Sequence, residues 1–286
     1  MGLFEARGLS VAYGAADDPG AAPMRLDAVS FSLERGRIYD LTGPSGAGKS
    51  MLIRACAQMM AVEGGCLLLD GVASGAMAVQ EWRRRVCLVP QHASLVAGTV
   101  RDNLLLPWTL KVNRSRPLPT DGELRALLDA ALLDVSLDRD GAKLSGGQAA
   151  RVALLRVFAT KPEVLLLDEV DAALDDASAQ AVGALTAEVV GQEATCLRIR
   201  HRSPDGRAFG TFHLEGGCLS YAEGGRGRMP EAVPASEGPV AASPNSGLGR
   251  SPAASPGSGL DGSPAASSTR APERPSASAP TEGGES

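Results

Sequence analysis

The sequence predicts an α/β fold with a mainly parallel sheet and a helical insertion. Three observations predict it. Strand-like apolar runs interleave with helical ones through residues 1–222. Val164–Asp168 is a fully apolar run that ends in acid, and Arg37–Thr42 is a short apolar run that ends at Gly43. From about Thr99 to Phe158 the pattern is helical alone, which implies an inserted subdomain.

The elements follow in order. Leu3–Tyr13 and Met24–Leu33 alternate like strands, and Arg37–Thr42 is a third. Lys49–Met60 is helix-like, with Leu52, Ile53, Ala55, Cys56 and Met59 on one apolar face. Gly65–Asp70 and Val86–Pro90 read as strands. Thr99–Leu106, Asp121–Leu133 and Ser145–Phe158 read as helices of the insertion. Val164–Asp168 is a strand, Ala177–Val190 a helix, Thr195–Arg200 a strand and Ala208–Tyr221 a hairpin.

Composition changes at Glu223. From there to Ser286 most residues are Ala, Ser, Gly or Pro, and the larger apolar ones are Met229, Val233, Val240, Leu248 and Leu260. Such a segment buries too little surface to offset backbone ordering. Ser243–Ala254 resembles Ser255–Ala266, a low-complexity repeat. The expected organisation is a folded domain at 1–222 and a disordered tail at 223–286.

The composition, 44% hydrophobic and 21% charged, is that of a globular protein. The net charge of −5 argues against nucleic acid as a partner, where a basic face is expected. No apolar run reaches the roughly 18 residues that a membrane span needs. The first residues lack the basic and apolar regions of a secretory signal, and Ala6 argues against myristoylation. Cys56, Cys66, Cys87, Cys196 and Cys218 show no CxxC spacing and read as buried free thiols of a reducing compartment. The expected location is cytoplasmic.

Three motifs carry chemistry. Gly43, Pro44, Ser45, Gly46, Ala47, Gly48, Lys49 and Ser50 match the phosphate loop G-x-x-x-x-G-K-[ST], between an apolar strand and a helix. Glycines let backbone N–H groups point into one concavity, and the helix N-terminus adds a favourable dipole. Lys49 should reach the β- and γ-phosphates, and Ser50 should ligate Mg²⁺. Val164–Asp168 delivers Asp168 beside that loop to hold Mg²⁺, and Glu169 to orient or deprotonate an attacking water. Leu144-Ser145-Gly146-Gly147-Gln148 opens a helix, with Ser145 as its cap and two glycines exposing N–H groups. Two phosphate-binding helix ends in one chain suggest that they meet across a dimer.

The ordered set Tyr13, GPSGAGKS, LVPQ (Leu88–Gln91), LSGGQ, VLLLDE, Leu174-Asp175 and His201 resembles the nucleotide-binding subunit of an ATP-binding cassette (ABC) transporter. The resemblance covers residues 1–222 and none of the tail. It implies a P-loop NTPase core of ABC type, with an inserted helical subdomain (about 99–158) and an N-terminal antiparallel β-subdomain. It implies ATP and Mg²⁺, held by Tyr13 stacked on adenine, by Gly43–Met51, and by Ser145, Gly146, Gly147 and Gln148 closing over the ATP of the opposite subunit. It places Gln91 near Mg²⁺ and the attacking water, Asp175 on the loop joining the two sites, and His201 on the γ-phosphate. The implied partners are a second copy of the chain and a separate membrane-spanning permease. The implied location is then the inner face of the cell membrane, with the permease docked near Gln91–Trp108.

More narrowly, Trp82-Arg83-Arg84-Arg85-Val86 and Gly98–Leu104 resemble the FetA/YbbL-like ATPases linked to iron or metal export. Taken by itself, the arginine run reads as a solvated face. Several positions depart from the family pattern: Met51, Ala150, Val170, Asp171-Ala172, and Arg200 and Arg202 around His201. Three functions are open at this point: a transport ATPase, a soluble ATPase of the same superfamily, and a nucleotide-binding regulatory module of low turnover. The absence of a coiled-coil insertion and of a second cassette disfavours the second reading. Intact Lys49, Asp168, Glu169 and His201 disfavour the third.

Overall fold

A computed structural model describes residues 2–13, 24–92, 94–223 and 231–232. Its strands form two sheets. Strands β1 (Phe4–Tyr13), β2 (Met24–Leu33), β4 (Gly64–Leu69) and β5 (Val72–Ala73) make an antiparallel sheet in the order β2-β1-β4-β5. The second sheet holds β3 (Arg37–Thr42), β6 (Val86–Val89), β7 (Val164–Asp168), β8 (Thr195–Ile199), β9 (Gly210–Glu215), β10 (Cys218–Glu223) and β11 (Glu231–Ala232). Its order is β11-β10-β9-β3-β8-β7-β6. Strands β9, β3, β8, β7 and β6 pair in parallel, and β10 and β11 add antiparallel edges.

Alternation along the parallel strands explains two separate cores. Val164 and Leu166 of β7 pack with α1 (Lys49–Cys56) and the antiparallel sheet. Leu165 and Leu167 pack instead with α3 (Val100–Leu105), α4 (Asp121–Ala130), α5 (Gly146–Phe158) and α6 (Asp176–Val190). Both faces are covered, so every residue of β7 and β8 is buried.

The expected helical insertion is three α-helices joined by short 3-10 turns. Thr99, Thr120 and Ser145 each close a capping box at a helix start, with Asp102, Glu123 and Gln148 at the third position. The helix expected to run to Met60 stops at Cys56. Gln58 takes a left-handed backbone (φ 54°) there, and Met59 turns out to solvent.

Within residues 1–222, β5 and α2 (Val79–Arg85) had no sequence signal. Trp82 anchors α2: it is fully buried, and its Nε1 donates to Cys56 O at 2.9 Å. The arginine run is accordingly not a freely solvated face. Arg85 makes two bonds to Glu163, of 2.6 and 2.7 Å, Arg84 pairs with Glu81, and Arg83 donates to Gln58 O. The Arg83 and Arg85 groups tie α2 to its neighbours, and the Arg84 pair lies within the helix.

The cysteines also differ from expectation. Cys56 and Cys196 are buried and Cys87 is half-buried, but Cys66 and Cys218 are exposed. Strand alternation is the reason, since neighbouring Leu67 and Leu219 take the inward positions. Burial pushes the Cys56 thiol up, and the Cys196 thiol up to about 12. Brief treatment of the native protein with a thiol reagent is expected to label Cys66 and Cys218, with Cys56 and Cys196 reacting only on unfolding. Peptide mass spectrometry reads this, and native labelling of Cys196 would contradict the packing.

The expected tail lies outside the described residues apart from two pieces. Glu223 is the last residue of β10, and Glu231–Ala232 pair with Tyr221 and Ser220.

Candidate functional site

The carboxyl ends of adjacent parallel strands β3, β8, β7 and β6 form one edge of the larger sheet, the place where open α/β sheets bind ligands. Each end carries part of the site. Strand β3 leads into Gly43–Ser50, β7 ends at Asp168 and Glu169, β8 leads to His201, and β6 leads through Pro90 to Gln91.

The phosphate loop depends on glycine for specific reasons. Gly43 has φ 143°, and a Cβ there would sit 2.1 Å from Leu214 O on β9. Gly48 caps α1 in a left-handed conformation (φ 95°). Pro44, Ser45 and Gly46 are exposed, while Met51 turns its side chain into the core and offers the site only backbone. Lys49 folds across the loop, and its Nζ donates to Gly43 O and Pro44 O, both at 2.9 Å. An ammonium has three N–H donors, so one is left for an anion in the loop.

Ser50 Oγ donates to Asp168 Oδ1 at 3.0 Å. Asp168 is almost fully buried, and burial raises its carboxyl above the usual range against the opposing pull of Ser50, Arg54 and Lys49. A divalent cation would favour its charged form. The donors that meet here are a hydroxyl and a carboxylate, with the Gln91 amide nearby through Glu169. Hard oxygen donors of this kind suit Mg²⁺, which usually takes one or two protein ligands and completes its shell with phosphate and water. Among the described residues no group of three or more His, Cys, Asp and Glu forms a metal cage.

Glu169 links three strand ends. Its Oε2 accepts from Gln91 Nε2 at 2.9 Å, and its Oε1 lies 2.8 Å from His201 Nε2. Its N–H donates to Ile199 O at 3.2 Å. Glu169 takes a left-handed backbone (φ 50°), a strained choice that costs about 1–2 kcal/mol for a residue with a side chain. Each carboxylate oxygen has two acceptor positions, so both retain one for the proton of a water.

Other expected positions make no hydrogen bond to this cluster among the described residues. Tyr13 is the last residue of β1, and its backbone pairs with Met24. Ser145 and Gly146 are exposed at the start of α5, where Ser145 and Gln148 are bonded to one another. No hydrogen bond among the described residues joins Ser145, Gly146, Gly147 or Gln148 to the Lys49 loop. Asp175 caps α6, accepting from Ser178 N at 2.8 Å and Ser178 Oγ at 3.0 Å. These bonds, the backbone one first, hold its carboxyl low. Sequence reasoning missed Arg54, whose charge acts on Asp168 from the same helix as Ser50.

A family profile described as ABC transporter matches residues 26–172. The methionine import ATP-binding protein MetN 1 of Pseudomonas fluorescens (strain Pf0-1) is 39% identical over 168 residues, covering 57% of this chain and 50% of that protein. The probable iron export ATP-binding protein FetA of Escherichia coli (strain K12) is 36% identical over 153 residues, covering 54% and 67%. The sulfate/thiosulfate import ATP-binding protein CysA 1 of Chromobacterium violaceum is 42% identical over 153 residues, covering 52% and 42%. The chain thus spans half or less of the two import proteins it matches.

Proposed function

The chain belongs to the ABC transporter family, and on that premise we propose that it binds and hydrolyses ATP to energise a membrane transporter whose spanning subunit is a separate polypeptide. The observation that carries the reading is the double bond set on Glu169, to Gln91 and His201, beside the Ser50–Asp168 pair. Those five residues come from four strand ends, and a general base, a water-positioning amide and a cation site are what phosphoryl transfer to water requires.

In this reading Lys49 and the N–H groups of Gly43–Met51 hold the β- and γ-phosphates, and Tyr13 stacks on adenine. Ser50, Asp168 and Gln91 would hold Mg²⁺, which would supply positive charge to offset that of the phosphates. Glu169 accepts the proton of the attacking water. His201 holds Oε1 of Glu169 through Nε2–H and reaches the γ-phosphate. The second site half comes from another copy: Ser145, Gly146, Gly147 and Gln148 present the N-terminus of α5 to ATP bound by the partner. The exposure of Ser145 and Gly146 at the helix start favours that arrangement. The differential contacts made across the closed dimer then drive the motion.

No helix of the described residues is long and apolar enough to cross a membrane. A groove of about 750 Å³ between α2 and the insertion, lined by Arg83, Arg84, Leu106, Pro107, Leu110 and Arg156, is the proposed seat of the permease. Apolar walls and a basic rim suit an amphipathic segment with acidic residues. The protein would then sit peripherally on the inner membrane face.

The three relatives are named as ATP-binding proteins of import or export, which supports transport over the other two functions. The test is purification of the tagged full chain in mild detergent from its native cells. A stoichiometric multi-span membrane protein is expected to copurify. A homodimer without a membrane partner would replace transport with a soluble ATPase.

A further inference from the structure

Residues that depart from the family pattern on the two sides of the site are bonded to each other. Arg200 Nε donates to Asp171 Oδ2 at 2.9 Å, and both side chains are 10% exposed. Arg202 holds the same segment from the other side of His201. Its Nε donates to Asp171 O at 3.1 Å, its Nη2 to Leu174 O and its Nη1 to Asp176 Oδ1 at 2.6 Å. His201 is therefore bracketed by two arginines that both grip the turn just after Glu169.

The grip is anchored in the sheet. Arg198 Nε donates to Asp40 Oδ1 at 2.6 Å, between paired positions of β3 and β8. Arg198 also makes two bonds to Asp205, of 3.0 and 2.7 Å, and Arg200 Nη1 lies 3.0 Å from Asp205 Oδ2. Burial would raise the Asp205 carboxyl, but the bonds from Arg198 outweigh it and hold the group down at about 2. Helix α6 closes over these groups, and a Cβ on Gly183 would already lie 3.2 Å from Asp205 Oδ2. The residual cavity among Asp171, Gly183, Arg198, Arg200 and Asp205 is about 10 Å³. That leaves scarcely room for one water, so the charges face one another rather than solvent.

The links close a ring. The chain runs from Glu169 to Asp171, the ion pair crosses to Arg200, the chain continues to His201, and His201 Nε2 returns to Glu169 at 2.8 Å. Two loops that meet only at their tips would move independently. Two loops fastened at a second point by a buried ion pair hold their tips in one geometry. Reaction rates respond steeply to such geometry, a misplacement of about 1 Å costing on the order of a hundredfold.

We propose that Asp171, Arg200 and Arg202 are positioning residues that fasten the turn after Glu169 to the loop carrying His201, so that both act as one preorganised unit. The inference rests on the reading of Glu169 and His201 as hydrolytic residues. The ion pair is specific in one further respect. Removing Arg200 strands the buried Asp171 carboxylate, and removing Asp171 leaves Arg200 only Asp205 to face, whereas removing both strands neither. The two single effects should therefore not multiply.

The test measures steady-state ATP hydrolysis and MgATP binding for the full chain and four variants: Arg200→Gln, Asp171→Asn, the double variant, and Arg202→Gln. Rates are expressed per bound nucleotide, so that unfolded protein does not count. Each buried single change is expected to lower kcat about tenfold, with MgATP affinity within about twofold of wild type. The double variant is expected to lose clearly less than the product of the two singles. Arg202→Gln removes bonds at a half-exposed side chain and so tests the idea in a folded background. It is expected to lower kcat about threefold, again without loss of affinity. Single variants that turn over at the wild-type rate per bound nucleotide would overturn the proposal, as would effects that multiply. A wild-type chain that binds MgATP but does not hydrolyse it would overturn the hydrolytic reading itself, and this proposal with it.

Discussion

Glu169→Gln is expected to slow ATP hydrolysis by about 10²–10⁴-fold while leaving MgATP affinity within about twofold of wild type. The substitution keeps size, shape and backbone preference, so the left-handed turn at 169 is no more strained than before. One amide oxygen still accepts from His201 Nε2, now 2.8 Å from the carboxylate. The new NH₂ would face the NH₂ of Gln91, which lies 2.9 Å from the carboxylate. Gln91 can turn its amide over and present oxygen instead. What disappears is the acceptor for the proton of water. Phosphate release and equilibrium nucleotide binding, measured on the same preparation, separate the two effects. Unchanged turnover would move the general base elsewhere; lost binding would show that Glu169 serves the ground state.

Gly43→Ala is expected to cost at least about 3 kcal/mol of stability or to displace the phosphate loop and abolish nucleotide binding. The new Cβ would meet Leu214 O at 2.1 Å and Leu214 C at 3.1 Å, both backbone atoms. No side chain can move aside. Relief requires β3 to shift from β9, which is paired with it at Thr42 and His213. Gly46→Ala supplies the comparison. Gly46 also has a positive φ, 78°, but nothing lies within 4 Å of its would-be Cβ. Its cost is the left-handed strain alone, about 1–2 kcal/mol. Urea denaturation of the two variants reads the difference. Equal destabilisation would mean that the contact with β9 is not what demands glycine at 43.

These two residues were legible in the sequence because their chemistry is local. The phosphate loop is contiguous: glycines at 43, 46 and 48 adopt positive φ, and Lys49 and Ser50 follow on the first turn of α1. Strands β2, β3 and β7 end where their apolar patterns end, at Leu33, Thr42 and Asp168. Helix starts were legible for the same reason, since Ser145 and Gln148 cap each other within four residues of chain. The helical insertion, read from its pattern, and the antiparallel sheet, expected from resemblance, have the same local determinants once the strands and caps are placed.

Elements held mainly by distant partners were not legible. Helix α2 has seven residues, too few to form alone, and it stands because Trp82 is buried and bonded to Cys56 O on α1. The end of α1 depends on one left-handed residue, Gln58, which no residue preference announces. Exposure of Cys66 and Cys218 follows from which strand face the second layer covers.

Asp171 and Arg200 mark the boundary between the two kinds of information most clearly. Each stood out in the sequence as a departure, and nothing in the chain linked them. They meet because β7 and β8 pair in parallel with Asp168 opposite Ile199, a register set through the crossover helix α6. Local rules act over one turn or one strand pair, so they can name residue types and backbone states. Charges 29 positions apart find each other only when packing has excluded water and fixed the register, and there their pairing becomes part of the site.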